Sequence, residues 1–240
     1  MEKLKKISVI IPAAGQGKRM KAGVSKQYIE LYGKPILAFT LEKFQNTKCI
    51  NDIILVVGKD EVDYVEKYIK NGYGFTKIKA IVQGGKERQD SVYEGLKAMD
   101  QDTDIVLIHD AVRPMIEIED IERIVDETMK YKACIFGVKV KDTIKVIDEH
   151  CNIKNTLDRS KLYAIQTPQA FDKDVILSAY KKAMSEDFFG TDDAMLVEQF
   201  SKIKVKLIEG SYSNIKITTQ EDFKAFKDFV QSSTNYPKDS

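Results

Sequence analysis

The amino-acid sequence predicts an α/β protein with a doubly wound, mostly parallel sheet of the Rossmann-like type. Short apolar runs rich in β-branched residues alternate with segments of helical periodicity as far as Val140. The apolar runs show little apolar–polar alternation, which is typical of strands buried on both faces. A glycine-containing loop directly follows the first run, where doubly wound sheets commonly bind phosphate groups.

Five strands and four helices make up this alternating part. The strands are predicted over residues 7–11, 53–57, 78–82, 105–108 and 134–140. The helices are predicted over the segments LAFTLEKF and EVDYVEKYI and over residues 91–99 and 118–129. A repeating strand–helix order of this kind places helices on both faces of a parallel sheet.

The alternation breaks between residues 141 and 166, where short strand-like segments suggest a β-hairpin that protrudes as an arm. Helices return at 173–184 and 191–200, followed by two short strands, VKLIEG and NIKIT, and a last helix over EDFKAFKDFV. The polar end, about 232–240, is expected to be disordered. With no internal repeat and no linker-like stretch, residues 1–240 are expected to form a single domain.

Composition narrows the function classes. The 240 residues are 43% hydrophobic and 31% charged, with a net charge of +1 and a pI near 7.6. Without a polybasic footprint, neither nucleic acid nor an anionic membrane is expected as a partner. No apolar run approaches the ~20 residues of a membrane span, and the basic N-terminus leads into the first strand, so a cytoplasmic protein is predicted. The three cysteines form no C-x-x-C pair, which disfavours disulfide and zinc roles.

The first strand ends in the loop PAAGQGKRMKAGVSKQY. Gly15 and Gly17 do not complete a dinucleotide fingerprint, and Arg19 stands where a Walker A loop has Ser or Thr. A glycine loop that carries Lys18, Arg19 and Lys26 suits a triphosphate, whose charge must be stabilised during displacement. The alternative is a basic turn exposed to solvent.

The fourth strand ends in HDAVRP. Asp110 is costly at the end of a buried strand unless it is paired or binds a metal. In the usual strand order it faces the glycine loop across the switch point, which predicts a Mg²⁺ site. A helix cap or an ion pair with Arg113 is the alternative, and His109 is interpreted as a core residue without chemistry.

The segment GGKERQDS follows the third strand. Its paired glycines, Gly84 and Gly85, allow close approach of a ligand to the backbone, and Ser91 is expected to cap the next helix. A base- or ribose-binding edge is predicted here, with an ordinary strand–helix turn as the alternative.

Taken together, the motifs resemble those of the 2-C-methyl-D-erythritol 4-phosphate cytidylyltransferase family of non-mevalonate isoprenoid synthesis. The resemblance runs from about Ser8 to Phe226. It rests on PAAGQGKRM, KQY, GGKERQDSV, HDAVRP, VKDTI, DR, QTPQAF, TDDA and NIKIT, in this order and spacing. It implies that CMP passes from CTP to the phosphate of a small polyol phosphate, with Mg²⁺ and with release of pyrophosphate.

The resemblance also implies roles for individual residues. On the nucleotide side, Arg19, Lys26 and Lys216 would stabilise the triphosphate and the transition state, and Asp110 would hold Mg²⁺. The nucleotide pocket would be formed by Ala13, Ala14, Gly15, Gly17, Gly85 and Ser91. On the acceptor side, Thr143, Arg159 and Thr167 would bind methylerythritol phosphate. The segment 141–166 would be an arm that crosses to the other subunit of a homodimer.

Three other functions fit parts of the pattern. A ribitol 5-phosphate cytidylyltransferase of teichoic acid synthesis would share the fold and the nucleotide loops, but TLDRSKLYAIQTPQAF and NIKITT favour the isoprenoid family. A sugar-1-phosphate nucleotidyltransferase is disfavoured by the short chain and by HDAVRP. A non-catalytic nucleotide sensor is disfavoured because both the cation loop and Asp110 are present. Two residues depart from the family pattern: Lys86 stands where an acidic residue is common, and Ser213 where aspartate is expected.

Overall fold

The computed structural model describes residues 4–15 and 25–233, and eleven strands form within them. In chain order they are β1 (Ile7–Pro12), β2 (Glu30–Leu31), β3 (Lys34–Pro35), β4 (Asp52–Val57), β5 (Ile78–Gln83), β6 (Ile105–Ile108), β7 (Ala133–Lys139), β8 (Lys145–Ile147), β9 (Ile153–Thr156), β10 (Tyr163–Asp172) and β11 (Lys206–Glu209). The predicted strands of the alternating part correspond to β1, β4, β5, β6 and β7, so this part of the prediction is confirmed.

Seven strands build the central sheet in the order β11-β7-β10-β6-β1-β4-β5. All neighbours pair in parallel except β10, which runs antiparallel to both β6 and β7. The chain moves outward from β1 to β4 and β5 and then returns to the other side of β1 as β6. The mostly parallel, doubly wound sheet is therefore confirmed, with its switch point between β1 and β6.

The helices are α1 (Ile36–Asn46), α2 (Val62–Tyr64), α3 (Arg88–Lys97), α4 (Ile118–Tyr131), α5 (Lys173–Ser185), α6 (Asp193–Phe200) and α7 (Gln220–Ser233). A π-helical segment, Val65–Asn71, continues α2, and short 3₁₀ turns cover Lys26–Tyr28 and Arg159–Lys161. None of the helices within the described residues is both long and apolar enough to cross a membrane. Residues 232 and 233 of the tail predicted as disordered belong to α7, and 234–240 lie outside the described residues.

Side chains of the sheet pack alternately into two layers. Val9 and Ile11 of β1 contribute to one hydrophobic cluster together with residues of α1 and α4. Ile10, between them, contributes to a second cluster with residues of α3, α5 and α6. This period of two is what a strand covered by helices on both faces requires.

Two predictions for the second half of the chain are wrong in detail. Residues 163–166, predicted as part of the arm, lie in β10, and QTPQAF forms the buried half of this central strand. Pro168 is unusual in a central strand, and the pairing of β10 with β7 shifts its register between Ile165 and Gln169. The buried part of β10 also carries polar side chains, so it lacks the apolar run by which a buried strand is recognised in a sequence. Residues 214–218, predicted as a strand, belong to no sheet in the described structure. Isolated hydrogen bonds join them to the core instead, among them one from the Ile217 N–H to the Val112 carbonyl at 2.9 Å.

The hairpin predicted between residues 141 and 166 is present as the antiparallel pair β8 and β9. All seven residues of its two strands are exposed. The hairpin forms a two-stranded sheet of its own and lies outside the central sheet. It is therefore a protruding element of this chain.

Candidate active site

A cavity opens at the carboxyl ends of β1 and β6, the two parallel strands at the switch point. Pairing of Ile10 with Ile108 and a bond from the His109 N–H to the Ile10 carbonyl place the residues after both strands at one edge of the sheet. Among the residues lining this cavity are eight of the predicted nucleotide-side residues: Ala13, Ala14, Gly15, Lys26, Gly85, Ser91, Asp110 and Lys216. Gly17 and Arg19, predicted for the same site, lie outside the described residues.

The loop between β5 and α3 forms one wall of the cavity by close packing against Ala14. A Cβ atom on Gly84 would lie 2.6 Å from the Ala14 Cβ and 2.7 Å from the Ser91 Oγ, so this approach requires glycine. The Ser91 Oγ accepts a bond from the Gly85 N–H and donates to the Glu87 carbonyl. The small residues of both loops are therefore held together at one end of the cavity.

The prediction that Ser91 caps α3 is wrong. The helix begins at Arg88, and Glu87 is its N-cap residue. The Asp90 carboxylate accepts a bond from the Glu87 N–H at 3.0 Å and so closes the first turn. Ser91 lies inside the helix, where its hydroxyl organises the glycine turn.

Lys26 reaches the cavity from a 3₁₀ turn whose anchor is Gln27. The buried Gln27 side chain donates a bond of 2.6 Å to the Ala13 carbonyl, and the Tyr28 hydroxyl donates to Glu61 at 2.8 Å. These two bonds tie the 3₁₀ turn to the Ala13 carbonyl and to Glu61. Gln27 thus couples the position of the Lys26 cation to the loop after β1, a role that the sequence motif alone did not indicate.

Asp110 is surrounded by three cations. Its Oδ2 lies 2.9 Å from the Lys216 Nζ and 3.4 Å from the Arg113 Nε, and its Oδ1 lies 3.3 Å from the Arg88 Nε. Burial alone would raise the pKa of this carboxyl, but the charges of Arg88, Lys216 and Arg113 outweigh burial and hold it well below its usual range. Asp110 is therefore ionised at neutral pH.

The ion pair with Arg113, the alternative that the sequence offered for Asp110, is present. The carboxylate also lines the cavity, and its role as a Mg²⁺ ligand stays a prediction. Arg88, the nearest cation on Oδ1, was not predicted as a site residue. Its signal in the sequence was weak: it is one of only five arginines in a lysine-rich chain and stands in the GGKERQDS motif.

Thr167 lies beneath Asp110 and is buried. Its Oγ1 accepts the Asp110 N–H at 3.0 Å and lies 3.2 Å from the His109 Nδ1, while the His109 Nε2 lies 3.1 Å from the Arg113 carbonyl. Because a carbonyl only accepts, Nε2 carries the proton and Nδ1 accepts from the Thr167 hydroxyl. The hydroxyl is thus engaged with protein groups on both sides, in a network that fixes the backbone at Asp110.

Asn214 closes this network on the side of Lys216. Its side-chain amide donates to the Thr167 carbonyl at 2.9 Å, and its own carbonyl accepts from the Arg113 Nη1 at 2.7 Å. Both anchors lie in the buried base of the cavity. They place Lys216, two residues further along, against Asp110.

His109 gives the fold a specific pH dependence. Burial lowers its pKa from 6.5 to about 4, so the folded state keeps it neutral where the unfolded chain binds a proton. Unfolding therefore becomes easier as pH falls below 6.5, and this one group is expected to remove about 2 kcal/mol of unfolding free energy between pH 7.5 and 5. Urea unfolding in metal-free buffer at the two pH values measures this loss. A His109→Gln variant should lack it, and an equal pH dependence in both proteins would contradict the assignment.

Comparisons with known proteins identify the family of the chain. The family model for 2-C-methyl-D-erythritol 4-phosphate cytidylyltransferase matches residues 7–232. The chain belongs to this family. The enzyme of that name from Alkaliphilus oremlandii is 51% identical over 222 residues, which cover 92% of this chain and 94% of the relative.

Two solved structures are similar over nearly their whole length. The 4-diphosphocytidyl-2C-methyl-D-erythritol synthase of Anaerococcus prevotii is 41% identical with a TM-score of 0.82, covering 95% of this chain and 96% of that one. The 2-C-methyl-D-erythritol 4-phosphate cytidylyltransferase of Francisella tularensis is 30% identical with a TM-score of 0.79, covering 96% and 100%. The fold of these solved structures thus extends over at least 95% of the chain.

The acceptor-side residues predicted for a cytidylyltransferase do not line this cavity. Thr143, Arg159 and Thr167 are absent from the described residues that line the cavity. Thr143 and Arg159 are exposed near the base of the arm, where the Arg159 Nη1 donates to the Lys141 carbonyl at 2.8 Å.

The arm also exposes apolar side chains, among them Val146 and Ile147 of β8 and Ile153 of β9. Ile144, just before the hairpin, is exposed as well. Several large apolar side chains on one protruding hairpin are typical of a surface that packs against another protein chain.

The residues present fit a Mg²⁺ ion only together with a triphosphate. No group of three or more His, Cys, Asp or Glu side chains that could hold a metal occurs within 4–15 and 25–233. Asp110 supplies one ionised carboxylate, and Mg²⁺ is commonly bound through one or two carboxylates plus substrate phosphates and water. The three neighbouring cations disfavour a bare metal ion here, whereas a bound triphosphate would offset them.

Proposed function

We propose that this chain transfers CMP from CTP to 2-C-methyl-D-erythritol 4-phosphate and releases pyrophosphate. The observation that carries the proposal is the cavity at the switch point, where Lys26, Lys216 and Asp110 lie beside a wall of small residues. Cations at the carboxyl ends of parallel strands are suited to a triphosphate, and family membership supplies the identity of the two substrates.

In this reaction an oxygen of the acceptor phosphate attacks the α-phosphorus of CTP. A new P–O bond forms as the bond to the bridging oxygen breaks, and pyrophosphate leaves with the electron pair. The attacking phosphate is already ionised at neutral pH, since its second pKa is about 6. The site therefore needs no general base, which agrees with the buried and neutral state of His109.

Catalysis then depends on positioning and on stabilising negative charge. Lys26 and Lys216 lie on the cavity wall, and Arg19 is proposed to join them from the glycine loop. In the ligand-free arrangement the Lys216 Nζ is paired with Asp110 at 2.9 Å. A triphosphate would compete for this lysine, and the pair would rearrange when CTP binds.

Asp110 is proposed to hold Mg²⁺ jointly with the triphosphate oxygens. When bound, the ion would neutralise phosphate charge and orient the leaving pyrophosphate. The depressed pKa of Asp110 keeps the carboxylate ionised and able to serve as a ligand.

The choice of base is proposed to come from the wall formed by Ala13, Ala14, Gly85 and Ser91. The Gly84 turn packs closely against Ala14, where a Cβ on Gly84 would lie 2.6 Å from the Ala14 Cβ, so this wall consists of backbone groups and small side chains. Such an edge suits a pyrimidine and leaves little room for a purine. CTP is expected to be preferred over ATP and GTP.

The protein is proposed to act as a homodimer with exchanged arms. Thr143 and Arg159 would then reach the partner's cavity and bind the acceptor phosphate there, Arg159 through its two-pronged guanidinium. The exposed apolar residues of the arm support this arrangement, because exchange would bury them.

The acceptor is tested by comparing kcat/KM for 2-C-methyl-D-erythritol 4-phosphate and ribitol 5-phosphate, each with saturating CTP and Mg²⁺. We expect a clear preference for the methylerythritol substrate, because the chain belongs to the family named for that substrate. A preference for ribitol 5-phosphate would assign the chain to the teichoic acid reaction. If no pyrophosphate is released with either acceptor, the result would favour a non-catalytic nucleotide sensor.

A further inference from the structure

Arg88 connects Asp110 with a second carboxylate that lies behind the cavity wall. The terminal nitrogens of its guanidinium donate to both oxygens of Asp193, Nη1 to Oδ1 at 3.1 Å and Nη2 to Oδ2 at 2.8 Å. Of the three guanidinium nitrogens, it is the Nε that donates to Asp110, at 3.3 Å from Oδ1. A planar guanidinium that binds one carboxylate through both terminal nitrogens is held in a single orientation.

The surroundings of Asp193 fix its carboxylate and, through it, the orientation of the Arg88 guanidinium. It is the first residue of α6, is fully buried, and belongs to the TDDA motif, for which the sequence alone indicated no role. Its Oδ1 also accepts a bond from the Tyr180 hydroxyl of α5. Burial and the nearby Asp193 charge raise the pKa of Tyr180 well above its usual range, so the hydroxyl remains a donor.

The arrangement restricts what Arg88 can do at Asp110. An arginine beside a carboxylate normally forms two parallel bonds and covers both oxygens. Here the two bonds to Asp193 keep the terminal edge of the guanidinium turned toward Asp193. In this orientation Arg88 gives Asp110 one long bond and leaves Oδ2 to Lys216 and Arg113. Without Asp193, the guanidinium would be free to turn and cover the Asp110 carboxylate.

We propose that Asp193 is a positioning residue for the metal-binding carboxylate: by holding the terminal nitrogens of Arg88, it keeps Asp110 accessible to the Mg²⁺ of the CTP complex. The inference rests on the proposed function, in which Asp110 binds this ion. Asp193 touches neither substrate nor metal in this account, and it acts through Arg88 alone.

The test is the factor by which saturating Mg²⁺ strengthens CTP binding, measured by calorimetry with Mg²⁺ and with EDTA in the absence of acceptor. Asp193→Asn is expected to lower this factor by about 10-fold or more, the usual effect of losing a group that orients a metal ligand. CTP binding in EDTA should change much less. Asp192→Asn is the matched control, since Asp192 caps α6 and bonds Gln169 but not Arg88.

A second variant separates positioning from general loss of structure. In Arg88→Gln combined with Asp193→Asn, the guanidinium that would cover Asp110 is gone, so the Mg²⁺ factor should recover above that of Asp193→Asn alone. If the Mg²⁺ factor of the double variant is equal to or lower than that of Asp193→Asn alone, the proposal is overturned. If Asp193→Asn does not fold, Tyr180→Phe decides: it removes one bond from Asp193, and an unchanged Mg²⁺ factor would overturn the proposal, whereas a lowered one would support it.

Asp110→Asn distinguishes this inference from the function on which it rests. If Asp110→Asn keeps the wild-type Mg²⁺ factor, Asp110 is not the metal ligand, and both the metal assignment and the inference fall. If Asp110→Asn lowers the factor while Asp193→Asn does not, the metal assignment stands and the positioning role of Asp193 is wrong.

Discussion

Lys26→Ala is expected to lower kcat by a factor on the order of 10²–10³ while leaving the KM for CTP within a few-fold of the wild-type value. The Lys26 cation lies on the cavity wall, and its turn is fixed by the bond from Gln27 to the Ala13 carbonyl. A positioned charge stabilises the transition state more than the ground state, because negative charge on the phosphoryl oxygens is redistributed as the bond breaks. Arg19→Ala is expected to have the same effect.

Steady-state kinetics with varied CTP and saturating acceptor separate the two parameters. Lys97→Ala is a suitable control, because its ammonium group pairs with Glu94 on the exposed part of α3 and should leave both parameters unchanged. If Lys26→Ala raises the KM for CTP while kcat stays near wild type, the lysine binds the ground-state triphosphate and its proposed catalytic role is wrong.

The nucleotide side of the site could be predicted from sequence because it depends on local rules. A glycine loop after β1 and an aspartate after β6 meet wherever a doubly wound sheet has its switch point between these strands. Parallel order alone therefore places Gly15 and Asp110 at one edge of the sheet, and the structure confirms that both line one cavity.

The groups behind Asp110 could not be predicted in this way. Arg88 and Asp193 are 105 positions apart and meet because α3 and α6 cover the same face of the sheet. Thr167 bonds the Asp110 N–H because β10 enters the sheet antiparallel to β6, and Pro168 together with three buried polar residues conceals that strand in the sequence. Neither periodicity nor local propensity reports a contact that only tertiary packing creates.

The arm was detected as a break in the strand–helix order, but its end was misplaced by about four residues. Tyr163 is partly exposed and Ala164 and Ile165 are exposed, and the strand becomes buried only from Gln166 onward. The sequence therefore locates the hairpin correctly but cannot show where the chain re-enters the core.

Mixing two inactive variants, Arg19→Ala and Arg159→Ala, is expected to restore about a quarter of the wild-type activity when they are unfolded and refolded together. In a two-fold dimer with exchanged arms, each site combines Arg19 of one subunit with Arg159 of the other. A mixed dimer then holds one site with both lesions and one intact site. Random equal mixing makes about half of the dimers mixed, so about a quarter of all sites are intact.

The matched control is a mixture of Arg19→Ala and Lys26→Ala. Both of these residues are proposed to serve the cavity of their own chain, so every site in a mixed dimer carries one lesion and no activity should return. Recovery of activity in the first mixture but not in the second means that Arg159 of one subunit serves the site that contains Arg19 of the other subunit. If neither mixture recovers although each variant refolds to a dimer, Arg159 and Arg19 act within one chain, and the exchanged-arm arrangement must be abandoned.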